Sequence, residues 1–175
     1  MKTFFTADNH WGHRRIIELS KRPFTSLEEM NEVMIERWNA TVTPADTVYH
    51  LGDLAFRNTP GLLTSIFPRL NGIKHLCPGN HDDAEVLALP WVSVAKYREI
   101  KLGGRKVVLG HYPFRSWNGM YAGAVNLYGH EHGNILDYSN AMDVGVDKWD
   151  FRPVSWEQIV ERAAPLDRWY AQPPK

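Results

Sequence analysis

The chain has 175 residues, with Lys plus Arg and Asp plus Glu equal at 20 each and a formal net charge of zero. That length suits one domain with a sizeable core, and balanced charge argues against a protein whose main work is gripping a nucleic acid backbone, since such domains are usually basic. Cys77 is the only cysteine, so an intramolecular disulfide is excluded and a thiolate zinc site lacks its ligands.

Thr3 to Ala7 reads as a buried strand that meets Asp8 before a signal-length apolar run can develop. No stretch approaches the roughly 18 apolar residues of a membrane span, so a cytoplasmic protein without membrane contact is expected. Leu27, Met30, Val33, Met34 and Trp38 recur at helical spacing, and Ser26 with Glu29 suggests a capping box. Thr47 to Leu51 reads as a second strand. A helix is expected over Gly61 to Leu70, then a turn at Asn71-Gly72 and a third strand over Ile73 to Cys77.

Trp91 to Ile100 and Lys106 to Leu109 are strand-like, and Gly103-Gly104 between them suggests a hairpin. Val125 to Tyr128 and Ala141 to Val146 read as further short strands. Ser155 and Gln158 offer a second capping box for a helix over Ser155 to Ala163, and Gln172 to Lys175 reads as a loose tail. Short apolar runs alternating with helical patterns argue for an α/β fold, here a single domain over residues 1–175.

Five of the strands run into a motif of ligand-type residues: Asp8-Asn9-His10, Gly52-Asp53, Gly79-Asn80-His81-Asp82, Gly110-His111 and Gly129-His130-Glu131-His132. Open α/β sheets place their sites beyond the carboxyl ends of their strands, so these motifs can converge. Asp8 and His10 share one face of an extended segment, as do His130 and His132. Carboxylate, imidazole and amide donors suit a hard or borderline divalent metal, and there are more of them than one ion needs. Taken singly, each motif also fits a bland role, such as a polar turn, a helix cap or a surface histidine. His50 and His75 are expected to be structural strand residues and Cys77 a small buried hydrophobe.

The ordered pattern D-x-H, G-D, G-N-H-D, G-H, G-H-x-H resembles the calcineurin-like metallophosphoesterase superfamily, and the stretch from Val144 to Ser155 resembles the end of its small bacterial and phage members. The resemblance implies a four-layer α/β/β/α sandwich and two divalent ions (Mn, Fe, Zn or Ni). It places Asp8, His10 and His132 on the first ion and Asn80, His111 and His130 on the second, with Asp53 bridging them. His81 would be the catalytic histidine and Asp82 its orienting partner. His13 and, at a spacing of four from Asp53, Arg57 are candidate substrate residues; Phe56 stands where the family's protein phosphatases carry an acid.

The activity so implied is hydrolysis of a phosphate ester, with a phosphodiester favoured over a monoester. The expected partner is a small phosphorylated substrate, with a nucleotide or an RNA end as candidates, and not a stable nucleic acid complex. The segment from His111 to Tyr121 reads as a loop over the site whose aromatics either fix it by burial, the favoured reading, or stack on a base. Two other readings fare worse. A non-catalytic scaffold of the same fold would show eroded ligands. A β/α-barrel amidohydrolase needs about 250 residues and carries H-x-H on its first strand.

Overall fold

The structure, a computed structural model, describes residues 1–56 and 61–169. Among these residues nine strands form two sheets. The first holds β1 (Thr3–Thr6), β2 (Thr47–His50), β3 (Ile73–Leu76), β4 (Ser93–Val94) and β9 (Val154–Ser155), in the order β4-β3-β2-β1-β9. The second holds β5 (Tyr97–Leu102), β6 (Arg105–Gly110), β7 (Val125–Tyr128) and β8 (Ala141–Asp143), in that order. β1 to β4 are parallel with β9 antiparallel; β6 to β8 are parallel with β5 antiparallel.

Parallel strands must be covered on both faces, and the alternation of side chains does this here. Phe4, Val48 and Leu76 pack outward from the first sheet against α2 (Leu27–Thr41) and α3 (Leu62–Ile66), meeting Met30, Met34, Trp38, Leu63 and Ile66. Phe5, Leu51 and Cys77 belong to a second cluster with Val107, Leu109, Leu127 and Met142 of the other sheet. Trp156 and Ile159 of α5 (Trp156–Ala163) close that cluster. Val108 and Tyr128 face the other way and are covered by Trp117 and Met120. The α/β class follows the sequence pattern, and the two sheets are those the family resemblance implies. Among the described residues no helix is long and apolar enough to cross a membrane.

Local chemistry explains the boundaries. Gly103 and Gly104 have φ of 54° and 78°, as a two-residue type I′ hairpin demands, and join Leu102 to its partner Arg105. The capping box at Ser155 and Gln158 is complete. The one at Ser26 is half formed: its hydroxyl accepts from the Glu29 amide, but the Glu29 carboxylate accepts from the amide and hydroxyl of Thr25. The expected helix up to Leu70 narrows to a 3-10 turn at Phe67–Arg69, where Pro68 cannot donate an α-helical bond.

Trp91 to Ile100 is not one strand. Ser93–Val94 pairs with β3 and Tyr97–Leu102 with β6, so this run carries the chain from one sheet to the other. The strand expected over Ala141 to Val146 ends at Asp143, and Val146–Lys148 turns as a 3-10 helix. The short helix α1 (Ile16–Leu19) follows the Trp11–Arg15 segment, where a helix start is expected, whereas α4 (Ala84–Leu87) has no signal in the sequence because four residues show no period. The tail from Gln172 lies outside the described residues.

Trp38 is 1% exposed and its indole N–H donates to the Asn71 carbonyl at 2.9 Å, pinning α2 to the turn before β3. Trp38→Ala is expected to cost about 3–5 kcal/mol in urea unfolding; unchanged stability would show that the α2 face is not part of the cooperative core.

Candidate metal centre

The carboxyl ends of β1, β2, β3, β6 and β7 meet where the two sheets come together. Ala7 bridges to Gly145 across the junction, and the Gly129 amide donates to the His111 carbonyl at 2.9 Å, which ties the ends of β6 and β7. Two donor groups result, Asp8 with His10 and His132, and Asp53 with His111 and His130; within each, the ligand atoms lie within 4.8 Å of one another. The Asp53 carboxylate sits between them. Its Oδ2 is 3.7 Å from His10 Nε2, and its Oδ1 is 3.4 Å from His111 Nε2. Asn80 Oδ1 lies 3.0 Å from His111 Nε2. All seven residues expected as ligands are thus gathered in one place.

The backbone is bent to achieve this. Asp8, His10, Asp53, His130 and His132 all have left-handed φ, between 49° and 72°. Non-glycine residues held so are strained by of order 1–3 kcal/mol each, and such strain collects at ligand clamps. Glycine supplies the clearance: a Cβ on Gly79 would collide with the Asp53 carboxylate, and one on Gly52 with the Gly79 backbone.

The electrostatics call for cations. Burial, and then the neighbouring Asp143, push the Asp8 carboxyl well above its usual range. Burial likewise raises Asp143. Both His10 ring nitrogens are buried without a hydrogen-bond partner among the described residues, and burial keeps the ring neutral. Neutral imidazole lone pairs beside under-compensated carboxylates are what a divalent ion requires. Oxygen and nitrogen donors without thiolate fit manganese, iron, zinc or nickel.

His81 stands at the mouth of the site, its side chain 35% exposed and its Nε2 3.9 Å from Asp53 Oδ2. Phe56 packs against its ring, with centroids 4.5 Å apart. Asp82 does not orient this ring, contrary to expectation. Its carboxylate turns inward and accepts from the amides of Asp53, Leu54 and Gly79 at 2.8–2.9 Å, bracing the loop that presents Asp53. Burial lifts Asp82 to about 6. His13 is at the site, 4.5 Å from the Phe56 ring and 5.4 Å from that of His10. Arg57 lies outside the described residues.

Among the described residues two cavities flank the centre. One, of about 430 Å³, is lined by His10, His13, Leu19, Lys21, His81 and Asn134, among others. The other, of about 220 Å³, is lined by Asn80, Lys96, His111, Tyr112 and Phe114 with Pro78 and Gly79. The aromatic loop divides its labour. Trp117 is buried and Phe114 packs against the same cluster, whereas Tyr112 is 48% exposed and its hydroxyl donates to Asn80 Oδ1 at 3.2 Å.

Arg22, Asp143 and Asp147 lie against the centre although the sequence reading gave them no role. Arg22 and Asp147 are 125 positions apart, so no local pattern could have paired them. His50, Cys77 and His75 behave as expected. Cys77 is a buried core thiol, raised by burial to about 11, and His75 Nδ1 bonds the Ser93 hydroxyl.

His50 accepts the Gly52 amide on Nδ1 and meets Asn9 Oδ1 at 2.7 Å through Nε2, which fixes a neutral ring with its proton on Nε2. Burial lowers it to about 3. Because the folded state binds this proton less readily than the unfolded chain, His50 contributes stability above about pH 6.5 that is lost as pH falls from there towards 3. In metal-free protein the His50→Gln substitution should flatten the stability-versus-pH slope below pH 6 by about 1.4 kcal/mol per pH unit. Parallel slopes in urea melts across pH 4–6 would contradict a neutral buried His50.

Comparison with known proteins agrees with this geometry. The chain is 33% identical over 168 residues to an uncharacterized protein of Methanocaldococcus jannaschii, covering 91% of this chain and 90% of the relative. It is 28% identical to the gene 66 protein of Mycobacterium phage L5, covering 91% and 92% of the two. A solved protein of unknown function from Aquifex aeolicus has the same fold, with a TM-score of 0.72 at 24% identity over 92% of this chain and 98% of that one. The model of the calcineurin-like phosphoesterases matches residues 1–174. With ligand motifs at five strand ends and archaeal and phage relatives of its own size, the chain belongs to the calcineurin-like phosphoesterase family as a small, metal-dependent phosphoric ester hydrolase.

Proposed function

We propose that the site holds two divalent ions and hydrolyses a phosphodiester, with a nucleotide-type compound or an RNA end as substrate. The observation that carries the binuclear reading is Asp53, whose two oxygens face two separate donor groups. In this reading Asp8, His10 and His132 hold one ion, Asn80, His111 and His130 the other, and Asp53 both. When bound, such a pair supplies an acidified water and neutralises charge on the phosphoryl oxygens.

The chain's own side chains do the rest. His81, exposed at the mouth and propped by Phe56, is placed to carry a proton to the leaving oxygen. His13, whose charged form is disfavoured by burial, then by His81 and Arg22, is a neutral hydrogen-bonding group for a phosphoryl oxygen. Asp82 keeps the Asp53 loop in register through its three amide bonds. The two flanking cavities favour a diester, because a phosphorus centred between them can send one ester substituent into each. Leu19 and Tyr112, exposed at these cavities, offer apolar surface to a nucleoside, and Lys21 and Lys96 offer charge to further phosphates.

Asp53→Ala should leave the protein unable to retain metal, whereas His81→Ala should bind metal normally and lose about 10²–10⁴-fold in turnover. Metal content by elemental analysis and hydrolysis of matched aryl phosphate mono- and diesters after reloading with single metals would check both. Activity in metal-free Asp53→Ala would sink the scheme, and faster turnover of the monoester would overturn the diester preference.

A further inference from the structure

Arg22 lies between α1 and α2 and is 4% exposed, an unusual place for a cation unless it is fully partnered. It is. Nε donates to Asp147 Oδ1 at 2.8 Å and Nη2 to Asp147 Oδ2 at 2.9 Å, a bidentate fork. Nη2 also donates to the Asp8 carbonyl at 2.7 Å, and Nη1 to the Asn9 carbonyl at 2.9 Å and to the Met30 sulfur at 3.6 Å. All five guanidinium protons are therefore committed.

Four of those five contacts lead to the same donor group. The Asp8 carbonyl belongs to one ligand, and the Asn9 carbonyl belongs to the peptide that leads into His10. Both lie in the segment where Asp8 and His10 hold left-handed φ of 59° and 54°. The Asp147 carboxylate, kept in place by the fork, accepts from His132 Nδ1 at 2.7 Å. That bond puts the His132 proton on Nδ1 and leaves the Nε2 lone pair directed into the site. The other donor group is held by different means: Asp82 braces the Asp53 loop through backbone amides, His111 is oriented by the Leu51 carbonyl, 2.8 Å from its Nδ1, and among the described residues no arginine joins the two.

We infer that Arg22, with Asp147, is a positioning pair that fixes Asp8, His10 and His132 together and so sets the affinity of one metal position independently of the other. The inference rests on the two-ion reading of the site. Lysine cannot replace this arginine, because one ammonium cannot span Asp147 and two carbonyls in the same plane.

The test is calorimetric titration of the metal-stripped protein with Mn²⁺ alone, together with ¹⁵N NMR of the His132 ring in the metal-free state. Asp147→Asn and Arg22→Lys should each weaken one of two binding events by about 10–100-fold and leave the other at its wild-type value. The double variant Arg22→Met with Asp147→Leu removes both buried charges at once, so it keeps the test alive if a single variant unfolds, and it should show the same one-sited loss. The wild-type His132 should carry its proton on Nδ1 and lose that preference in the double variant. Equal weakening of both events, unchanged affinities, or an Nε2-protonated His132 in the wild type would overturn the inference. A wild-type protein that binds fewer than two ions would overturn the two-ion reading and the inference with it.

Discussion

Buried negative charge governs this molecule. Asp8, Asp53, Asp143 and Asp147 are brought to the junction of two sheets, where Asp8, Asp53 and Asp143 are almost wholly shielded from water. A carboxylate in such a place is costly unless cations or amide donors surround it. The chain answers in part with its own groups. Arg22 takes Asp147, and the amides of Gly133 and Gly145 take Asp143. Among the described residues Asp8 receives only the His130 amide, and Asp53 the His81 amide, against carboxylate neighbours. The deficit that remains lies where the neutral imidazoles of His10 and His111 are pointed, which is why the junction suits divalent cations and not another packed core.

Geometry and strain follow from the same requirement. Donor residues at the ends of separate strands face one point here because the backbone turns sharply after β1, β2 and β7, where Asp8, His10, Asp53, His130 and His132 adopt the left-handed region. The surrounding frame holds these turns: the Asp82 carboxylate under the Asp53 loop, His50 and Asn9 behind Asp8, and Arg22 across the Asp8–His10 segment. These groups are sited among parallel strands with apolar clusters on both sides, so the precision of the centre depends on a rigid core behind it.

Some of this was readable from the chain because it is local. A strand ending at Gly-Asp or Gly-Asn-His-Asp is visible in consecutive residues, and the parallel topology that unites the strand ends is a general property of α/β sheets. The donor residues that gather at the junction, the two-residue hairpin at Gly103-Gly104 and the cap of α5 were legible for that reason. What failed were readings that need to know which surface a residue faces. Trp91 to Ile100 has one apolar texture but serves two sheets, and Asp82 follows His81 in sequence while its carboxylate turns the other way. Glu29 completes its hydrogen bonds with Thr25, one residue before the site a capping box would use.

The sequence by itself determined the donor types, their order along the chain and hence the class of chemistry, because metal ligation depends on functional groups that a residue name specifies. Tertiary structure decided how those donors divide into two groups around Asp53, which cavities flank them, and that Arg22 reaches Asp147 across 125 positions. Those are matters of distance between parts of the chain far apart in sequence. They are settled by sheet pairing and core packing, which no residue carries alone.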